Sequence, residues 1–263
     1  MNQIPQAKLK TKIIGKQIIL LDETDSTNLE AKRHQDEDSS NGMVFIAEQQ
    51  NQGRGRLGRS WVSPKATGIW MSILLKPEFS PESASQITLL AALAAADAVR
   101  TVTGLDCQIK WPNDLVVNGK KVCGILTEMG ASEDRIQYLV TGIGINVNTE
   151  YFPEEIREMA SSLKIEGGSS YIREDIVAEL LNHFEFYYEE FSKTTSLKNM
   201  VNYYNSILIN KGKKVKIVGN PTTDIGEALG IDETGRLLVR MDDGEERAIV
   251  SGEVSVRGLY GYV

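Results

Sequence analysis

Residues 53–59 read Gly-Arg-Gly-Arg-Leu-Gly-Arg, with Ser60 and Trp61 next. Glycines let a backbone close on an anion and adopt positive φ. Arginines present forked donors matched to phosphate and carboxylate. Three of each within seven residues describe a mobile loop that wraps a negatively charged ligand. Gly53, Gly58, Arg59 and Ser60 nearly reproduce the phosphate-binding pattern G-x-x-x-x-G-K-[ST]. Two features exclude it. Arginine replaces the lysine, and Trp61-Val62-Ser63-Pro64 reads as strand or turn where such a loop must open a helix. A solvated RGG-like loop with weak nucleic-acid affinity is the bland alternative.

Three further segments carry weaker signals. Lys110 precedes Trp111-Pro112-Asn113-Asp114, so it stands where a proline ends a strand and projects a side chain into a cleft. A solvated strand-end lysine is the competing reading. Asp25-Ser26-Thr27-Asn28 alone is a helix entry. Gly142-Ile143-Gly144-Ile145-Asn146 lacks the third glycine of a dinucleotide fingerprint and lies within a strand, so its glycines mark a close approach by ligand or backbone. His34 and His183 form no catalytic constellation, and no Ser/His/Asp or Cys/His arrangement is readable.

The elements that position these residues follow from pattern. Strands are expected near Lys16–Leu21, Met43–Gln49 and Gly68–Lys76, with a helix at 28–35 opened by a Thr27/Glu30 capping box. A long buried helix is expected over 82–103, begun by Pro81 and stopped by Gly104. Four strands follow between Cys107 and Asn146, two of them joined through an Asn118-Gly119 hairpin turn. Helices are expected at 154–160, 173–191 and 197–209, and residues 1–12 are expected to be poorly ordered. After Gly212 the texture becomes five short strands. The fold class is α+β: a central mixed, largely antiparallel sheet with flanking helices, then a small SH3-like barrel, divided as 1–210 and 211–263.

Composition limits the function. A chain of 263 residues with net charge −7 lacks the diffuse basic footprint of a DNA-binding protein, so an anion site must be a local cluster. Two cysteines are too few for a zinc site or disulfide framework and read as buried thiols. The N-terminus has no signal-peptide core and no apolar run spans a membrane, so a cytoplasmic location is expected, with no membrane partner.

The ordered set resembles the biotin–protein ligase family, also called biotin–[acetyl-CoA-carboxylase] ligases. It comprises D-S-T-N, then G-R-G-R-x-G-R with its tryptophan, K-W-P-N-D, Gly124-Ile125-Leu126, G-x-G-I-N, and Gly252-Glu253-Val254-Ser255-Val256-Arg257. The likeness runs from Ile18 to Arg257. It implies a class II synthetase-like catalytic fold and two-step chemistry: biotin and ATP give biotinyl-5′-adenylate, then a lysine of a biotin carboxyl carrier protein is biotinylated. It implies biotin contacts at Ser26, Thr27, Asn28, Gln50, Arg54, Gly55, Arg56, Trp61 and Lys110. ATP contacts fall on Arg56, Arg59, Lys110 and Asn146, and Lys110, Arg54 and Arg56 carry the catalysis. Glu253 and Arg257 correspond to a pair tethering the C-terminal unit. Mg2+ accompanies ATP. The short stretch before the first strand leaves no room for a DNA-binding winged helix, so no DNA partner is expected; monomer and homodimer both stay open. A lipoate–protein ligase is the nearest rival, and the Gly/Arg loop favours biotin. A non-catalytic biotin-binding regulator is a second.

Overall fold

The structure is a computed structural model that describes residues 1, 3–132, 135–218, 223–251, 255–258 and 262–263. Seven strands form the larger sheet: β1 (Ile18–Thr24), β2 (Val44–Gln50), β3 (Gly68–Leu75), β4 (Gln108–Lys110), β5 (Asp114–Val117), β6 (Lys120–Ser132) and β7 (Arg135–Asn146). Their order is β1-β2-β3-β7-β6-β5-β4. Among these described strands β1 and β2 pair in parallel and the other strand pairings are antiparallel. A helix, α1 (Thr27–Arg33), makes the crossover between the parallel strands. β3 is buried along its whole length, as a central strand with both faces covered must be. Asn118 and Gly119 both adopt positive φ, the conformation a two-residue β5–β6 turn requires.

The long helix α2 (Ala84–Thr103) is entered through a 3-10 turn at Pro81–Ser83 and ends at Gly104, whose φ is 72°. Its alanines and leucines are buried nearly all round, because it lies between the sheet and α4 (Arg173–Thr194). Between α2 and α4, the buried Asp97 carboxylate accepts from the hydroxyls of Tyr187, at 2.5 Å, and Tyr203. Burial and that carboxylate push the Tyr187 phenol well above its ordinary range, so it stays a donor.

Several local expectations are corrected. The first residues are anchored: Ile4 and Ile14 are buried, and the backbone N–H groups of Ile13 and Ile14 donate to Glu185 at 2.9 and 2.6 Å. A buried carboxylate on α4 thus orders a segment whose own composition is polar. Residues 154–159 form turns and no helix, because Ala160 is drawn into a bridge with Lys121. The helix comes later as α3 (Leu163–Gly167), capped by the Ser162 hydroxyl accepting from Ile165 N–H. The last helix is shorter than expected, α5 (Val201–Ser206). The capping box is absent: Ser26 is the N-cap, with no side-chain capping bond, and Thr27 begins α1.

A separate five-stranded antiparallel sheet closes the chain: β8 (Lys214–Val218), β9 (Thr223–Ile231), β10 (Leu237–Met241), β11 (Glu246–Ile249) and β12 (Ser255–Gly258), ordered β11-β10-β9-β8-β12. Val215, Ala228, Leu237, Val239 and Val256 are among its buried residues that join the main core. The α+β class with a small C-terminal β unit is the architecture observed.

Candidate active site

A cavity of about 700 Å³ opens on the face of β3, β6 and β7 that α2 leaves free. At one end, Ser26, Thr27 and Asn28 are buried at the start of α1. Gln50 ends β2 and accepts, through Oε1, from Thr27 N–H at 2.8 Å and its hydroxyl at 3.2 Å. Gln50 Nε2 donates to Ser63 Oγ at 2.7 Å. The Ser72 hydroxyl lies 2.7 Å from Thr27 Oγ1 and 2.6 Å from Asn28 Oδ1, and Asn28 Nδ2 donates to Glu128 at 2.7 Å. Burial opposes ionisation of Glu128, yet Lys32 and Asn28 hold its carboxyl below the ordinary value. This explains the missing capping box: the α1 hydroxyls and amides serve a buried polar network instead. Gly142 makes room for it, since a Cβ there would meet Asn28 Oδ1 at 2.2 Å.

The Gly/Arg segment is a hairpin. Gln50 bridges Ser63, Arg54 bridges Ser60, and Gly55 N–H donates to Arg59 O at 2.7 Å. Its tip is a 3-10 turn, Arg56–Gly58, with Leu57 at φ 57°. Arg54 and Arg59 are exposed. Arg56 is half-buried, which lowers its pKa, and donates to Asn113 Oδ1 at 3.0 Å. Trp61 folds back into the cavity over Gly124 and Gly144, which are register partners in β6 and β7. A Cβ on Gly144 would lie 2.6 Å from Trp61 Nε1, so only paired glycines leave the indole a floor. That Nε1 is buried with no partner among the described residues, an unmet donor inside the cavity.

The opposite wall carries the lysines. Lys110 ends β4 and is 5% exposed. Its ammonium donates to Val256 O at 3.2 Å and sits 4.3 Å from the Tyr262 ring centroid. Burial lowers its pKa to about 8, with Asp114 acting in the opposite direction. Lys121 pairs with Asp114 Oδ1 at 2.5 Å and stands 5.1 Å from the Trp61 ring. Asn146 ends β7 and donates to Ser161 O at 3.1 Å. Arg257, on β12, is exposed and lines the same cavity. Glu253 lies outside the described residues.

Every described candidate, from Ser26 to Arg257, therefore borders one space. Pattern reading missed Lys121 and Tyr262, and gave Asp114 no role of its own within its segment. Lys121 had a signal, since it lies three residues before Gly124 and immediately before the strand expected from Val122; Tyr262 had none. Six cations line the cavity (Arg54, Arg56, Arg59, Lys110, Lys121 and Arg257) against one carboxylate, Asp114, among the described residues. In a chain of net charge −7, that concentration defines a site for anionic reactants.

Such a fold and site define a ligase-type anion cleft, and comparison with known proteins agrees. The pattern of the Biotin/lipoate A/B protein ligase family matches residues 20–146, and that of the Biotin protein ligase C terminal domain matches residues 212–257. A bifunctional ligase/repressor BirA of Bacillus subtilis is 35% identical over 94% of this chain and 76% of its own length. A biotin–[acetyl-CoA-carboxylase] ligase of Mycobacterium tuberculosis is 29% identical, covering 94% of this chain and 93% of the relative. The structure of a biotin protein ligase from Aquifex aeolicus in complex with biotin and ATP superposes with TM-score 0.80 at 33% identity, covering 92% of this chain and 99% of that one. The chain belongs to the biotin protein ligases of the biotin/lipoate A/B protein ligase family.

Proposed function

We propose that this chain is a biotin–protein ligase that makes biotinyl-5′-adenylate from biotin and ATP and transfers biotin to a lysine of a carboxylase carrier domain. The observation that carries the reading is the convergence of six cations on one cavity with a polar, hydrogen-bonded end and an apolar floor. Family membership and the biotin- and ATP-bound relative support it.

In the first step a biotin carboxylate oxygen attacks the α-phosphorus of ATP. The bond from that phosphorus to the bridging oxygen breaks, and pyrophosphate leaves. Two anions must meet, so positive charge has to stand ready before they arrive. Lys110 supplies it from the wall; Arg54 and Arg56 supply it from the hairpin, with Gly55 allowing close backbone approach. Arg59 reaches toward the outer phosphates. Ser26, Thr27, Asn28 and Gln50 take the ureido end of biotin, where an unpaired polar group costs about 1–3 kcal/mol. Trp61 walls the biotin pocket. Asn146, with the apolar side chains of Phe152 and Met159 nearby, borders the nucleoside end. Mg2+ enters as the MgATP complex, held by phosphates and water. In the second step the carrier lysine amine attacks the anhydride carbonyl and AMP leaves. A closed hairpin protects the anhydride from water.

We also divide the chain into a catalytic unit, 1–210, and a C-terminal unit, 211–263. Among the described residues the two sheets share no strand, and Arg257 together with Glu253 would tether the second unit to the cavity.

Incubation with biotin, MgATP and a biotin carboxyl-carrier domain tests the proposal by mass measurement of the carrier. A gain of one biotinyl group is expected. An unmodified carrier, or lipoate used in preference to biotin in a parallel reaction, would overturn it.

A further inference from the structure

Lys110 and Asp114 are register partners across β4 and β5, the placement in which a lysine and an aspartate ordinarily pair. They do not pair here. Asp114 Oδ1 is held by the Lys121 ammonium at 2.5 Å, and Oδ2 accepts from the Tyr262 hydroxyl. The Lys110 ammonium is left with the Val256 carbonyl and the face of the Tyr262 ring. A neutral carbonyl and a π face hold a cation without neutralising it. One side chain therefore does both things. Its ring seats Lys110, and its hydroxyl satisfies the carboxylate that would otherwise claim Lys110.

We propose that Tyr262 is a positioning residue for adenylate formation: its hydroxyl occupies Asp114 so that the Lys110 ammonium stays unpaired for incoming carboxylate and phosphate. The inference rests on the adenylation reading of the cavity, but its geometric premise does not. Among the described residues, the other charges facing Lys110 are Lys121, Arg257 and Arg56, all cations, so Asp114 is the one described carboxylate able to neutralise it. A buried carboxylate oxygen deprived of its donor takes another; with Lys121 already on Oδ1, the Lys110 ammonium across the β4–β5 pair is the cation left for Oδ2. Burial and the Asp114 charge hold the Tyr262 phenol far above its ordinary range, so it remains a donor throughout neutral pH.

The test compares the full chain with Tyr262→Phe, Asp114→Asn and the double variant, each first checked for an unaltered circular dichroism spectrum. Phenylalanine keeps the ring and removes only the hydroxyl. Titration of the Lys110 ammonium by NMR, without substrates, is expected to move upward by about one unit in Tyr262→Phe, because Asp114 becomes its partner. Adding Tyr262→Phe to Asp114→Asn should then produce no upward shift, since asparagine brings no charge. ATP–pyrophosphate exchange is expected to show kcat lowered about tenfold in Tyr262→Phe, with KM for ATP little changed. An unmoved Lys110 midpoint in Tyr262→Phe, or an equal shift in the Asp114→Asn background, overturns the inference. A parent protein without biotin-dependent exchange would instead sink the adenylation reading, and the titration would still decide what Tyr262 does.

Discussion

Arg54 and Arg59 stand exposed on a hairpin tipped by a 3-10 turn, whereas Lys110 is 5% exposed at the end of a strand in a seven-stranded sheet. Both regions supply positive charge to one cavity, by opposite routes. Two bridges close the hairpin on itself, and its ties to the body are few: Asn51 and Gln52 N–H donate to the Thr24 and Asp25 carbonyls, and Arg56 donates to Asn113. The wall is fixed by β4, β5 and β6 and by the Asp114–Lys121 pair. A charge that is already placed and dehydrated acts most strongly on the transition state. A charge on a movable loop acts chiefly by closing over bound reactants. The wall is thus the region expected to set kcat and the hairpin the region expected to set KM.

The largest effect separates the two directly. Lys110→Ala should fold normally and lose about 10³-fold in adenylate formation, a loss typical of removing one preorganised donor. Pyrophosphate release near the parent rate would break the comparison at its strong end. Next, Arg56→Ala should raise KM for ATP by roughly 10- to 100-fold with kcat little changed, the signature of lost uniform binding. A fall in kcat at constant KM would show that the hairpin does the work assigned to the wall.

pH sharpens the contrast. Burial places the Lys110 pKa at about 8, and the ammonium is its acid form. kcat/KM should therefore hold below that value and fall about tenfold per unit above it, reporting the free enzyme. Lys110→Arg, always charged, should be slow but free of this decline. The same displacement has a stability counterpart. The folded pKa lies below the unfolded value of 10.5, so between about 8 and 10.5 the unfolded chain binds more protons at this position, and the Lys110 contribution makes stability rise with pH across that window. The smallest effect is dynamic. Biotin plus ATP should slow amide exchange in residues 50–63 by about tenfold and leave β6 unchanged. A hairpin equally protected without ligand would remove the distinction.

Much of the site was legible because its chemistry is written in short runs. Gly53–Arg59 and Lys110–Asp114 each place several unusual residue types together, and the Asn118-Gly119 turn is a local backbone requirement. The turn region at 154–159 was misread because its helix lost to a tertiary bridge between Ala160 and Lys121. The anchoring of the N-terminal segment was invisible because its partner, Glu185, lies some 170 positions away on α4.

Sequence alone determined the chemical inventory: an acidic chain with a local arginine–glycine run, a strand-end lysine, helix and strand periods, and a family resemblance across nearly all of it. Tertiary structure alone decided which cations share a cavity, that Gly124 and Gly144 form a floor for Trp61, and that Tyr262 stands between Lys110 and Asp114. The reason is range. Propensity, turn geometry and motif spacing act over a few residues, while charge pairing and close packing depend on distances in space that only the folded sheet brings within reach.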